Sequence, residues 1–196
     1  CRAMLLFTDP VLYGSSIIRR SVLMNHGIRS REGWALPGED YLMLLALSQV
    51  TQFGNLPETL LYYRIGEQNQ RHGRDLISDR AVLCKEAFMA FDMPVTDAQL
   101  ELHLLFYKLS RTTITTQRLR EFKRWTEELK QLNHRLERFD RDVFDAEVDR
   151  RWDALFHFLP DHGIAPSLLH MWISRKWSRE RLVYLAKVTV RRFIPR

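Results

Sequence analysis

The 196 residues are 45% hydrophobic, enough for a sizeable core in one or two globular units. The longest apolar runs, such as Met43–Leu47, fall far short of the roughly 18 to 20 residues a membrane-spanning helix needs, so a soluble globular chain is expected. The formal net charge of +6 is local: residues 174–196 carry eight Lys or Arg against Glu180 alone, while the rest carries 22 basic and 23 acidic residues, which argues against a general nucleic-acid-binding surface and for one basic element.

Cys1 and Cys84 provide neither a disulfide framework nor zinc-site spacing, so a reducing cytoplasm is the expected compartment. The sequence opens on Cys1 without a charged, apolar and small-residue leader, and the N-terminus reads as a cut within a longer chain.

In chain order, Tyr13–Ile18 is β-prone, Pro37-Gly38 punctuates a loop, and the apolar run Tyr41–Val50 reads as a helix. A turn around Pro57 leads to a second β-prone stretch, Thr59–Ile65. Residues 1–70 are therefore expected to form an α/β part. Beyond about Asp75, Pro and Gly become sparse and apolar residues recur at spacings of three and four. That pattern predicts helices over 74–91, 96–113, 116–138, 142–159 and 166–193. Thr96 with Gln99 has the spacing of a capping box. Thr116 offers a hydroxyl cap to a helix with a one-sided face of Leu119, Phe122, Trp125, Leu129, Leu132 and Leu136. Residues 71–196 are expected to form a helical domain ending in a basic tail, 174–196.

The most informative window is Tyr13–Gln70. It contains "SSIIRRSVL", the acidic pair in "GEDY" at a helix start, and the phrase "NLPETLLYYR" followed by a polar loop. These elements, in this order and spacing, resemble family 2 glycosyltransferases of the GT-A fold. The helical remainder resembles, more weakly, the C-terminal extension of bacterial members. The resemblance implies a partial GT-A α/β fragment without its Rossmann-like nucleotide-binding half. It also implies transfer of a sugar, with inversion, from a nucleotide-sugar donor to a glycan or lipid-linked acceptor.

Inverting transfer needs a base beside the acceptor hydroxyl, which must lose its proton as it attacks the anomeric carbon, and a carboxylate on a rigid element suits that task. Asp40, at the entry to the helix from Tyr41, matches the family's base; Glu39 matches the acid beside it, which could orient the acceptor. The bland alternative is that either carboxylate caps the helix. Arg64 matches an arginine near the donor's diphosphate, where a guanidinium fork binds phosphate oxygens; an ion pair in the cleft is the alternative. Trp34 could stack on a sugar ring or pack at a core edge. Arg19 and Arg20 could face phosphates, or be solvated.

The family's divalent metal, Mg²⁺ or Mn²⁺, is expected for the whole enzyme, yet no ligand is assignable. Gly66 stands where many relatives have His, His72 on the same loop is a weak substitute, and no Asp-x-Asp precedes the window. His103, His134, His157 and His170 lack ligand spacing and read as ordinary helix residues. Trp125, Trp152, Phe156, Phe106 and Tyr107 read as packing. The tail mixes Trp172, Trp177, Leu182 and Phe193 with bases, as a helix lying on an anionic membrane face would; docking on the bundle is the alternative. A competing function is a helical interaction or oligomerisation module without catalysis, and a homo-oligomer stays open. No nucleic-acid partner is expected.

Overall fold

The computed structural model describes residues 2–30, 38–62, 64 and 75–191. They fall into two compact units, Cys1–Leu100 and Glu101–Arg196. Eight α-helices lie among the described residues: α1 (Arg20–Asn25), α2 (Glu39–Ser48), α3 (Leu76–Ala90), α4 (Asp97–His103), α5 (Thr116–Leu136), α6 (Arg141–Leu155), α7 (Ile164–Ser174) and α8 (Arg179–Arg191). No strand or sheet occurs among them.

That overturns the expected α/β fragment. Tyr13–Ser15 forms a single 3₁₀ turn, residues 16–19 are irregular, and Arg20 already opens α1. Residues 59–62 and 64 of the second β-prone stretch take no regular structure. The physical reason is pairing. A β-branched or aromatic run becomes a strand only when a neighbouring strand takes up its N–H and C=O groups and covers its apolar face. No strand runs beside these residues among those described, and Leu56 and Tyr62 stay 72% and 93% exposed.

The first unit is organised by α2, which is apolar nearly all round and therefore needs cover on most sides. Tyr41, Leu42, Leu44, Leu45 and Leu47 are all buried. The cover comes from α3, through Leu83, Cys84, Ala87 and Phe88. The N-terminal 3₁₀ segment Arg2–Leu6 packs on α3 and buries Leu5 and Leu6 beside Phe7. Asp75 caps α3, its Oδ1 accepting the Ile77 and Ser78 N–H groups at 3.1 and 3.2 Å.

The second unit is built on α5 packed against α6. Leu119, Phe122, Trp125 and Leu129 line the buried stripe of α5, facing Phe144, Val148, Trp152 and Leu155 of α6. Leu132 and Leu136, expected on the same face of α5, are half-buried. An ion pair and a hydrogen bond tie the two helices, Lys130 Nζ to Asp149 at 2.5 Å and His134 Nε2 to an Asp145 carboxylate oxygen at 2.9 Å. Buried Asn133 clasps the following turn, donating to the Phe139 carbonyl at 3.1 Å and accepting the Phe139 N–H at 3.0 Å. The Ile114 N–H donates to His162 Nδ1 at 3.0 Å, closing the loop before α5.

The expected helices differ from those observed mainly at their ends. The Thr96–Gln99 capping box is present in both directions, at 3.0 and 3.3 Å. The cap of α5 is Thr115, one residue before the expected Thr116, with its hydroxyl accepting the Arg118 N–H at 3.1 Å. The helix expected over 96–113 ends at His103, continues as 3₁₀ turn Leu104–Tyr107, and stops where Lys108 turns left-handed at φ 59°. The helix expected over 142–159 ends at Leu155, leaving His157 in the turn beyond it. The helix expected over 166–193 is two, because Arg175 turns left-handed at φ 53° and the Ser178 hydroxyl, accepting the Arg181 N–H at 3.2 Å, opens a fresh helix.

Candidate functional site

The acidic pair Glu39 and Asp40 occupies the first turn of α2. What precedes it determines how firmly it is held. Gly38 is the N-cap, at φ 125°, a backbone conformation that side chains with a Cβ rarely adopt. A Cβ there would lie 2.6 Å from Leu83 Cδ1 and 2.9 Å from Cδ2. Leu83 is itself buried against α2, so only glycine lets the chain enter the helix this close to α3.

Gly38 has no side chain to cap with, and the helix start is served otherwise. Its carbonyl accepts the Leu42 N–H at 3.0 Å, and the Asp40 Oδ1 accepts the Tyr41 N–H at 2.9 Å. One Asp40 oxygen is thereby oriented by the helix, on a side chain that is only half-buried. Both carboxylates sit where the helix's unpaired N–H groups favour negative charge.

Tyr41, next in sequence, anchors this turn from below. Its ring is 1% exposed, its hydroxyl donates to the Leu5 carbonyl, and the Arg80 guanidinium lies 5.9 Å from the ring centroid. Burial, with Cys84 adding to it, pushes the Tyr41 hydroxyl far above the ordinary tyrosine pKa, so it stays a proton donor to Leu5. Gly38 and Tyr41 are the positioning residues that the motif reading missed. A lone Tyr inside an otherwise aliphatic run was the available signal, since a buried phenol needs a partner for its hydroxyl.

The other expected site residues are more scattered. Arg19 is the N-cap of α1 and Arg20 its first residue, both exposed. Arg64 is exposed. Trp34, Gly66 and His72 lie outside the described residues. Among the described residues the structure brings together Glu39, Asp40 and their supports, with no group of three His, Cys, Asp or Glu able to hold a metal ion. Those residues thus offer no ligand set for the divalent metal that the resemblance implies.

Two of the histidines are buried in the core of the second unit. His103 is fully buried, its ring 5.1 Å edge-on from Phe106 and 6.1 Å from Trp125. His170 is fully buried and stacks on Trp152 at 4.5 Å. Its Nε2–H donates to the Trp152 carbonyl at 2.8 Å. Burial lowers its pKa to about 4. Trp125, Trp152, Phe156 and Phe106 are buried in the second unit and Tyr107 is half-buried.

A shallow concavity of about 540 Å³ in the second unit is lined by Trp172, Ile173, Arg175 and Trp177. Among the described residues, no helix is long and apolar enough to cross a membrane. Compared with known proteins, the chain matches no family model, no curated protein and no solved structure.

Proposed function

We propose that this chain carries the acceptor-side catalytic base of an inverting glycosyltransferase, working with a separate nucleotide-sugar-binding half. The observation that carries the reading is the turn Gly38-Glu39-Asp40, where a sterically required glycine, a buried Tyr41 anchor and a helix start hold a half-exposed carboxylate in place. A base must be positioned before it is useful, and this carboxylate is. The motif order from "SSIIRRSVL" through "GEDY" to "NLPETLLYYR" supports the same assignment.

In this proposal Asp40 takes the proton of the acceptor hydroxyl while that oxygen forms a bond to the anomeric carbon. The bond from that carbon to the nucleotide diphosphate breaks on the opposite face, which inverts the centre. Glu39 orients the acceptor, Trp34 offers a ring for the sugar to stack on, and Arg64 faces the departing diphosphate, with Arg19 and Arg20 available to phosphates. The exposed apolar side chains Leu56, Leu60, Leu61 and Tyr62 support a surface that another part of the enzyme covers.

The test is Asp40→Asn in the enzyme that joins this chain to its donor-binding half. Asparagine keeps the size and the oxygen that receives the Tyr41 N–H, so a purely capping role predicts nearly unchanged turnover and unfolding temperature. A base predicts a fall in kcat of roughly 10² to 10⁴ with donor affinity and unfolding temperature retained. An Asn variant that keeps more than about a tenth of the wild-type rate, a loss well short of that range, refutes the assignment.

A further inference from the structure

Helix α8 has two apolar faces, and the fold uses only one. On the inner side Leu185 is buried and Tyr184 and Val188 are half-buried. Polar contacts then lock that side in place. The Tyr184 hydroxyl donates to the His157 carbonyl at 2.9 Å, Arg181 pairs with Asp153 at 2.6 Å, and the Arg181 guanidinium lies 4.8 Å from the Phe156 ring centroid. Lys176, just before the helix, reaches the same Asp153 at 3.2 Å. The helix is therefore docked, and its outer face is outward by construction.

That outer face is aliphatic. Leu182, Val183, Ala186 and Val190 are all exposed, and their spacing confines them to an arc of roughly 100°. Val190 is 55% exposed, as is Trp177 ahead of the helix, and Trp172 near the end of α7 reaches 68%. The two tryptophans share one shallow concavity with Arg175. Exposed bases accompany the stripe and the tryptophans, Lys187 and Arg191 along one side of the stripe, Arg179 at its N-terminal end, and Arg175 and Lys176 beside the tryptophans, against Glu180 as the acid of this segment.

We infer that α8, with Trp172 and Trp177, is an in-plane binding face for an anionic lipid surface. Charge selects this occupant. A second copy paired about a two-fold axis would bring the bases of this face, Arg179, Lys187 and Arg191, close to those of the other copy, a like-charge juxtaposition that opposes association. A leaflet of acidic headgroups instead neutralises the flanking bases while the aliphatic stripe enters the acyl boundary. Indole rings, apolar with one N–H, suit the headgroup level. The face does not depend on the chemistry at Asp40.

The experiment is co-sedimentation of the 196-residue chain with vesicles of phosphatidylcholine alone and of phosphatidylcholine containing phosphatidylglycerol. Binding is expected to the mixed vesicles only, and to weaken as added salt shortens the Debye length from about 10 Å to about 3 Å. Each base near the surface is worth about fivefold in partitioning, so Lys187→Gln with Arg191→Gln should lower it by roughly twenty- to thirtyfold. Leu182→Asp with Val190→Asp should abolish it. All four positions are exposed or flank the docked face, so circular dichroism should show unchanged helix content. Three results overturn the inference: no binding to the mixed vesicles, binding that either double variant leaves intact, or self-association in sedimentation velocity that Val190→Asp removes. The last would assign the face to a second copy instead.

Discussion

At the scale of single residues, the acidic pair owes its position to its neighbours more than to itself. Gly38 meets two constraints at once, a positive φ of 125° and a distance of 2.6 Å from its would-be Cβ to Leu83 Cδ1. Leu83 has nowhere to retreat, being buried between α2 and α3. Gly38→Ala is therefore expected to lose about 2 to 4 kcal/mol of stability, combining a backbone conformation disfavoured for alanine with overpacking of the core. Chemical denaturation of the variant checks this. A loss under about 0.5 kcal/mol, the ordinary scatter of a surface substitution, would mean that the turn relaxes freely and that Asp40 is not rigidly held. This constraint was invisible in the sequence, where Pro37-Gly38 signalled a loop. A glycine's need for φ above zero can be guessed from a turn, but the approach of Leu83, 45 positions away in sequence, cannot.

At the scale of elements, what could be read was whatever a local pattern encodes. The α5 stripe Leu119, Phe122, Trp125 and Leu129 is buried as its spacing predicts, and the Thr96–Gln99 box closes as its spacing predicts. The two strands expected at 13–18 and 59–65 failed because a strand is a property of a pair, and the pattern on one chain segment says nothing about whether a partner is present. The helix ends failed for another reason. Lys108, Glu137 and Arg175 each take a left-handed conformation at φ 52° to 59° to terminate a helix, a job usually given to glycine. With no glycine to mark them, periodicity ran on through 108 and 175. These residues also bear a cost. At the exposed Glu137, whose N–H donates to the Asn133 carbonyl at 2.7 Å, the left-handed state costs roughly 1 to 2 kcal/mol and glycine's extra freedom when unfolded roughly 0.5 to 1. Glu137→Gly is accordingly expected to stabilise the protein by about 0.5 to 1 kcal/mol. A lower midpoint in urea would show that the Glu137 side chain contributes more than its backbone costs.

At the scale of the molecule, the buried His170 and the half-buried Glu147 and Asp153 of the second unit give stability a definite pH dependence. His170 titrates at about 4 when folded, against 6.5 when exposed, chiefly because burial against Trp152 penalises its charged form. Between those values the unfolded chain binds a proton that the folded chain refuses, so stability is full above about 6.5 and falls as the pH drops toward 4. The gap between 6.5 and about 4 corresponds to roughly 3 kcal/mol. Glu147 and Asp153 act later. Burial alone would raise both pKa values, but hydrogen bonds from Arg150 and Arg151 to Glu147, and from Arg181 and Lys176 to Asp153, more than offset it and leave both below the ordinary carboxylate values. Their contribution is present above the unfolded pKa and disappears as the pH falls through the lowered folded values. Acid destabilisation should thus arrive in two stages, the first from the histidine and the second, below about pH 4, from the ion pairs. The discriminating variant is His170→Gln. It is expected to start less stable, having lost the stack on Trp152, yet its unfolding temperature should stay nearly flat between pH 6.5 and 4 where the wild type declines. A variant curve parallel to the wild type through that window would place the titrating group elsewhere and remove His170 from the account.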